Sequence, residues 1–182
     1  MLDGRCETDI VDVPSSTLKD IETAGEGRVA IWIRRAFLTL LVVFVLTGAG
    51  GFLGVRTATE TDAAGGYKLS LHHAATARAG LDVPWEVTVT HEGGFGKDVM
   101  LAVTGDYFDI YETQGFTPEP SDATRDGDTL YLTFAAPPGD TLMVSYDAYI
   151  QPSSQLGRDG ALSVLEDGSP VVSVEFDTLL LP

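Results

Sequence analysis

The chain contains 182 residues, of which 27 are acidic and 11 are basic, so its formal net charge is −16. A field of this sign disfavours nucleic acids and other phosphate-rich polymers, and its simplest role is to keep the protein soluble. Cys6 is the single cysteine, so no disulfide can form within the chain, and a folded domain must be stabilised by a packed core.

Residues 1–28 are predicted to form a disordered cytoplasmic tail. This segment has mixed charges, few aromatic residues and little hydrophobic periodicity. Cys6 lies in it and is expected to be a free thiol in a reducing compartment, with palmitoylation or redox sensing as the alternatives. The tail is too short to hold a catalytic or signalling domain.

Residues 36–55 form an uncharged and mainly apolar run between Arg35 and Arg56. As a helix this run would extend about 30 Å, the thickness of the hydrocarbon core of a bilayer. With its flanks, residues 29–56, it is predicted to be a retained transmembrane helix, and a cleaved leader is the alternative. The positive-inside rule places the N-terminus in the cytoplasm and the rest outside the plasma membrane. The membrane-flanking residues are Trp32, Arg34, Arg35 and Arg56.

Four glycines cluster near the outer end of this run, and Gly50 and Gly54 form a G-x-x-x-G pair. Small residues allow two helix backbones to approach closely in lipid. The pair is therefore a candidate for packing against a second copy of the chain or against another membrane protein. The favoured interpretation is that the glycines only loosen the end of the helix.

Residues 57–65 are predicted to be a linker, and residues 66–182 an extracytoplasmic β domain. Residues 57–182 carry 20 acids and 5 bases, a net charge of −15. Apolar and polar residues alternate in several runs, which is typical of half-buried antiparallel strands. The positions predicted to face the core are Tyr67, Leu69, Leu71 and His73; Trp85, Val87, Val89 and His91; Val99, Leu101 and Val103; Leu130, Leu132 and Phe134; Leu142, Val144, Tyr146 and Ala148; Leu162 and Val164; and Val172, Val174 and Phe176.

Glycine-containing turn signals separate these runs and predict hairpins. Seven or eight short strands with this spacing indicate an antiparallel β-sandwich, so the chain is expected to be mainly β with one N-terminal transmembrane helix. The turn signals are Gly93-Gly94, Gly105-Asp106, Asp126-Gly127, residues 137–140, Asp159-Gly160 and Asp167-Gly168.

Two segments resemble parts of a known fold family. PWEVTVTHEGG, residues 84–94, is similar to the B strand of bacterial immunoglobulin-like and fibronectin-type-III-like modules, and LTFAAPPGDTLMVSYDAYIQP, residues 132–152, to their E–F corner. The layout as a whole, including residues 157–176, resembles an uncharacterised family of single-pass membrane proteins from actinobacteria. This resemblance implies an immunoglobulin-like fold, and it assigns no activity and no functional residues.

The three histidines are the first place to look for a metal site. By strand parity His73 and His91 face the same side, and Glu92 or Asp98 is a candidate third ligand. None of these spacings matches a known ligand run, so rim histidines are the favoured interpretation, with His72 on the opposite strand face. We therefore expect neither a metal nor another cofactor.

Other acidic groups give similarly simple interpretations. Residues 122–128 resemble the start of a calcium loop, but Thr133 stands where the bidentate Glu is needed, so an Asp-Gly hairpin is favoured. Asp106 and Asp109 are a candidate pair of catalytic carboxylates, as in glycosidases, although two acids beside a turn are common. The chain has no G-x-S-x-G motif and no extracytoplasmic cysteine, so it is not expected to be an enzyme.

These features predict a membrane-anchored cell-envelope protein that presents an acidic domain for protein contacts, as an accessory subunit. The alternative is a membrane sensor or solute-binding receptor whose outer domain binds a ligand or a cation. The expected contacts are the lipid bilayer, through residues 36–55, and a second copy or another membrane protein, through the glycine-rich helix face. Nucleic acid is not expected as a partner.

Overall fold

The structure is a computed structural model that describes residues 27–51 and 54–181. Most of the predicted tail, including Cys6, lies outside the described residues. The described chain is mainly β, with one α-helix, α1, at Arg28–Ala49. α1 has 22 residues and is long and apolar enough to cross a membrane. Its apolar side chains are exposed all around the helix, a distribution that suits lipid better than water.

α1 ends at Ala49, before the predicted end of the membrane-spanning run at residue 55. Gly50 and Gly51 form a turn in which Gly51 has a φ of +75°, a left-handed conformation that glycine adopts without strain. Gly54 lies in a bend beyond this turn. The two glycines of the G-x-x-x-G pair therefore lie beyond the end of α1, and the helix packing considered for them stays a prediction.

Of the membrane-flanking residues, only Arg56 lies in a different element from the one predicted. Trp32, Arg34 and Arg35 are inside α1, and Arg56 is the first residue of a strand. The uncharged part of the helix is thus residues 36–49, which is about 21 Å long. In a bilayer, long arginine side chains at this depth extend along the helix to reach the polar interface.

Twelve strands are described, more than the seven or eight predicted, and three of them have only two residues. They are β1 (Arg56–Ala64), β2 (Tyr67–Arg78), β3 (Asp82–Val83), β4 (Trp85–His91), β5 (Val99–Thr104), β6 (Phe116–Thr117), β7 (Asp122–Asp126), β8 (Thr129–Phe134), β9 (Thr141–Tyr146), β10 (Ala148–Tyr149), β11 (Arg158–Glu166) and β12 (Ser169–Leu181), with a 3₁₀ helix at Gly105–Ile110.

One curled sheet holds ten of these strands, and it has two halves. The β2 half contains β6, β9, β4 and β2 in that order, with β1 on β2, and the β5 half contains β12, β11, β5, β8 and β7. β12 joins the halves: nine of its first ten residues pair antiparallel with β11, with a bulge at Val171, and Leu179, Leu180 and Leu181 pair parallel with β2. β3 and β10 form a separate two-stranded sheet.

The inner faces of the two halves share a single buried core. Trp85 on β4, Phe134 on β8 and Leu162 on β11 belong to the same cluster, although their strands lie in different halves. The predicted core positions are buried, except that Tyr67, His91 and Leu130 are partly buried. The period-two prediction is therefore confirmed, because each inward side chain packs against side chains of the opposite half.

The predicted linker, residues 57–65, is instead most of β1. β1 pairs with β2 from Arg56 to Ala64, and Gly65 and Gly66, both with positive φ, close the hairpin. Its sequence has no apolar face, which is why alternation did not reveal it. Glu60 and Asp62 pair opposite Leu71 and Leu69 and so lie on the core side of β1, yet they are exposed. Inward charges of this kind protect an edge strand from unwanted pairing.

The predicted turns have three outcomes. Asp126-Gly127 and Asp167-Gly168 close the hairpins β7–β8 and β11–β12, as predicted. Residues 93–94 and 137–140 instead connect strands of different halves, and residues 105–106 begin the 3₁₀ helix. Asp159-Gly160 is no turn, because Gly160 lies in β11 opposite Phe176, where a Cβ would stand 2.9 Å from the phenyl ring.

Candidate functional site

The histidines do not form a metal site. β2 pairs Tyr67 with His91 and His73 with Trp85, so His73 and His91 lie six residues apart along the sheet, roughly 20 Å. Within the described ranges, no group of three or more His, Cys, Asp or Glu side chains is placed to hold a metal ion. The outer-face histidine, His72, contacts the Thr59 hydroxyl with its Nδ1 at 3.0 Å.

The acidic candidates are also part of ordinary structure. Asp106 forms an ion pair with Arg125, and Asp109 is exposed in the 3₁₀ helix. Residues 122–126 of the calcium-like segment form β7, and the segment turns at Gly127 into β8. The favoured Asp-Gly hairpin is therefore confirmed, and these carboxylates do not converge.

His73 is a buried histidine, with 2% of its surface exposed and neither ring nitrogen in a hydrogen bond. Its ring lies 5.4 Å from that of Phe176. Burial lowers the pKa of His73, while Glu60 and Asp177 raise it less. The imidazole is thus held neutral inside an apolar environment, which suits a core residue rather than a proton donor.

A chain of hydroxyl groups lies in the core near the 3₁₀ helix. The Thr178 hydroxyl donates to the carbonyl of Ala74 at 2.6 Å, so it must accept from Tyr107 at 2.8 Å. Tyr107 in turn accepts from Tyr111 at 2.8 Å. Burial is the main cause that raises the pKa of both tyrosines, so both remain protonated and neither is a nucleophile.

An acidic cleft of about 510 Å³ lies where β1 meets β11 and β12. Its floor includes Phe176 and Gly160, and its acidic lining residues are Glu60, Asp159, Glu175 and Asp177. The carboxylates repel one another and no base is among the lining residues, so the cleft attracts positively charged groups.

The outer face of the β5 half has the composition of a contact surface. Register places nine side chains together on it, from three positions each of β5, β8 and β11. None is charged, although the domain is strongly acidic. We call this surface the Tyr131 face, and its members are Met100, Ala102, Thr104, Thr129, Tyr131, Thr133, Ala161, Ser163 and Leu165.

The Tyr131 face is half-exposed and contains a shallow groove of about 280 Å³. Acidic residues border it on both sides: Asp122 and Asp126 on β7, and Glu175 on β12 beside Ala161. Tyrosine and methionine are enriched at protein interfaces, and tyrosine is among the residues that most often contribute strongly to binding. An uncharged centre with an acidic border suits a partner that has an apolar centre and a basic border.

The outer face of the β2 half is different. Lys68 and Glu86 project from it, and hydroxyl groups of Thr59, Thr61 and Ser70 form hydrogen bonds along β1 and β2. Met143 on β9 is exposed there, so the chain offers one exposed methionine on each outer face. The contrast between the two faces makes the Tyr131 face the better candidate for partner binding.

The Tyr131 face was not predicted from the sequence. A signal was present, because Met100, Ala102, Ala161 and Leu165 alternate with core residues and so stand at outward positions that are usually polar. Their adjacency required the order β8-β5-β11, which pairs strands distant in sequence.

Comparison with known proteins adds little. No family model matches the chain, and no curated protein matches it. A solved structure of a Pseudomonas fluorescens alkylpurine DNA glycosylase, AlkC, bound to DNA containing an abasic site analog, is similar over 58% of this chain with 15% identity and a TM-score of 0.31. The chain spans only 28% of that glycosylase.

Proposed function

We propose that the chain is a single-pass, membrane-anchored cell-envelope protein whose β domain binds a protein partner through the Tyr131 face, as an accessory subunit without catalysis. The observation that carries this proposal is the uncharged, half-exposed face with acidic borders in a domain of net charge −15. The apolar helix α1 is the anchor, in the plasma membrane. The arginines on the N-terminal side favour a cytoplasmic N-terminus and an outer β domain.

The proposed fold of the domain is an immunoglobulin-like sandwich, and the strand order supports it. In such a sandwich strands A, B and E form one sheet and C, F and G belong to the other. In this assignment β2, β4 and β9 are A, B and E, and β5, β11 and β12 are C, F and G. Residues 84–94 then contain strand B, as the resemblance implies. Residues 132–152 contain the end of β8, all of strand E and the first part of the connection to strand F, so they extend beyond the E–F corner that the resemblance implies. The proposed kinship with the actinobacterial membrane family stays a prediction.

A non-catalytic role is supported by the surroundings of the reactive groups. The buried tyrosines are protonated and form a hydrogen bond with each other. The ring of His73 packs against the phenyl ring of Phe176. General acid–base catalysis needs such groups to be within reach of a substrate. The interaction role needs only a stable surface, and the continuous core supplies one.

The second candidate is a sensor or solute receptor, and the acidic cleft of about 510 Å³ favours it. A ligand for that cleft would carry a positive charge, such as an amine. Thermal-shift measurements with amines and divalent cations test this role: stabilisation that disappears in Glu175→Gln would support it, and an unchanged midpoint across the series would refute it.

The Tyr131 face is tested with two matched variants, Met100→Arg and Met143→Arg. Both place a positive charge at an exposed methionine on a strand, but only Met100 belongs to the Tyr131 face. Full-length protein is purified from its host membranes in mild detergent after photo-crosslinking from a benzophenone amino acid at position 131.

We expect a crosslinked protein in the wild type and in Met143→Arg, and at least a tenfold lower yield in Met100→Arg. Loss of about 1.4 kcal/mol of binding free energy corresponds to this factor. Equal crosslinking in all three proteins, or none in the wild type, would refute the proposed role of the face. Near-UV circular dichroism checks that both variants keep the native core.

A further inference from the structure

One end of the β domain is marked by the start of β1. Register places Arg56 opposite Thr76, Leu181 opposite Arg78 and Arg158 opposite Thr178. The loop at residues 151–157 precedes β11 at the same end. We call this the Arg78 end, and the members that the argument uses are Arg78, Leu81, Leu156, Arg158 and Leu179.

Exposed leucines are concentrated at the Arg78 end. Leu156 is 81% exposed, Leu179 is 55% exposed and Leu81 is 39% exposed. Outside α1, the only other large apolar side chains this exposed in the described chain are the two methionines of the outer faces. Beside the leucines lies a cavity of about 660 Å³, lined by Arg78, Leu181 and residues of the 152–155 loop, with no acid among its lining residues.

Two arginines at this end, Arg78 and Arg158, differ from the paired bases of the domain. Lys97 pairs with Asp167 and Glu166, and Arg125 pairs with Asp106. Arg78 and Arg158, by contrast, form no ion pair with a described residue, and the buried Nε of Arg78 has no hydrogen-bond partner. Acids do occur nearby, at Asp82, Asp109 and Asp159, so the end is mixed in charge rather than uniformly basic.

Chain length connects this end to the anchor. Residues 50–55 separate the last residue of α1 from the first residue of β1, and six residues extend over about 20 Å at most. The Arg78 end is therefore the end at which the chain enters the β domain. The opposite end, at the β11–β12 hairpin, is roughly 30 Å away along β12.

We propose that the Arg78 end rests on the bilayer surface, with its exposed leucines in the headgroup region and with Arg78 and Arg158 bound to lipid phosphates. The inference rests on the proposed membrane anchoring. It gives the domain a fixed orientation, in which the Tyr131 face stands to the side and stays open to a partner. The net negative charge of the domain opposes free binding to lipid, so the contact depends on the tether.

The test uses full-length protein with Cys6→Ser in phosphatidylcholine nanodiscs. An environment-sensitive fluorophore is attached at Leu156→Cys and, as the matched control, at Ser169→Cys in the hairpin of the opposite end. Lipids with a spin label near the headgroup quench the fluorophore only at short range. We expect at least threefold stronger quenching at position 156 than at position 169, and a clear decrease at 156 in Arg78→Glu/Arg158→Glu.

Equal quenching at the two positions would overturn the inference. So would quenching at position 156 that the charge-reversal variant leaves unchanged, since the arginines would then play no part. Extraction of the membranes with alkaline carbonate separates this failure from that of the proposed anchoring. A protein that stays in the membrane but shows equal quenching refutes only the docking, whereas a protein released by carbonate refutes the anchor itself.

Discussion

Removal of the Tyr107 hydroxyl should destabilise the domain by more than the loss of a single hydrogen bond. The hydroxyl chain runs in one direction, from Tyr111 through Tyr107 and Thr178 to the carbonyl of Ala74. Tyr107→Phe breaks two of these hydrogen bonds and leaves the buried Tyr111 hydroxyl without an acceptor. Two bonds at about 1 kcal/mol each and an unpaired donor at about 1–3 kcal/mol give an expected loss of about 3–5 kcal/mol.

The double variant Tyr107→Phe/Tyr111→Phe gives the decisive comparison. It removes the donor that Tyr107→Phe leaves unpaired, so we expect it to be no less stable than Tyr107→Phe. Urea unfolding of the full-length protein, followed by the fluorescence of buried Trp85 in a Trp32→Phe background, measures both free energies. Ser163→Ala, which breaks an exposed bond to Ser173, is the control and should cost less than about 1 kcal/mol.

The losses of unfolding free energy in Tyr107→Phe and Tyr111→Phe should not sum to the loss in the double variant. Additive losses would refute the directional chain of hydrogen bonds. They would mean that Tyr111 finds another partner or that the hydroxyls contribute independently. A loss below 1 kcal/mol in Tyr107→Phe would show that water replaces the missing oxygen.

Two further predictions follow from buried groups. Because burial holds the pKa of His73 below its usual value, the unfolded chain takes up the proton first as the pH falls below about 6.5, so the unfolding free energy should decrease by up to about 1.4 kcal/mol per pH unit. His73→Leu should flatten this slope below about pH 6.5, and an unchanged slope in urea titrations would contradict the assignment. Gly157→Ala should destabilise the domain by at least about 2 kcal/mol, because the added Cβ would overlap the carbonyl oxygen of Thr178. Gly139→Ala is the control: its Cβ would meet no atom within 4 Å, so the free energy of unfolding should change by less than about 1 kcal/mol. Equal melting temperatures for these two glycine variants would refute the close approach at residue 157.

The core could be predicted because burial follows the period of each strand. Leu69, Val87 and Val89 alternate with polar neighbours, and the structure buries all three. The same reasoning missed β1, since a strand such as Arg56–Ala64 with no apolar face has no alternation to detect. β1 forms because its backbone pairs with that of β2, and the side chains of β1 carry no pattern that predicts this pairing.

Local turn signals were informative only where the flanking strands pair with each other. Asp167-Gly168 closes a hairpin, and the left-handed φ of Asp167, 50°, shows why an Asp stands there. Asp159-Gly160 has the same composition but lies in the middle of pairing, because the Phe176 ring occupies the space of a side chain at Gly160. The candidate surface likewise depended on which strands become neighbours, which one sequence does not state.

The position of β12 sets the order in which this domain can be completed. Its last three residues pair with β2 about a hundred positions earlier in the chain, so the two halves of the sheet are joined only when this pairing forms. Until then the edge of β2 at residues 76–78 stays open, and slow closure over so long a loop lengthens that interval. Folding of the β domain is therefore expected to be completed late, by a contact that no hairpin can form on its own.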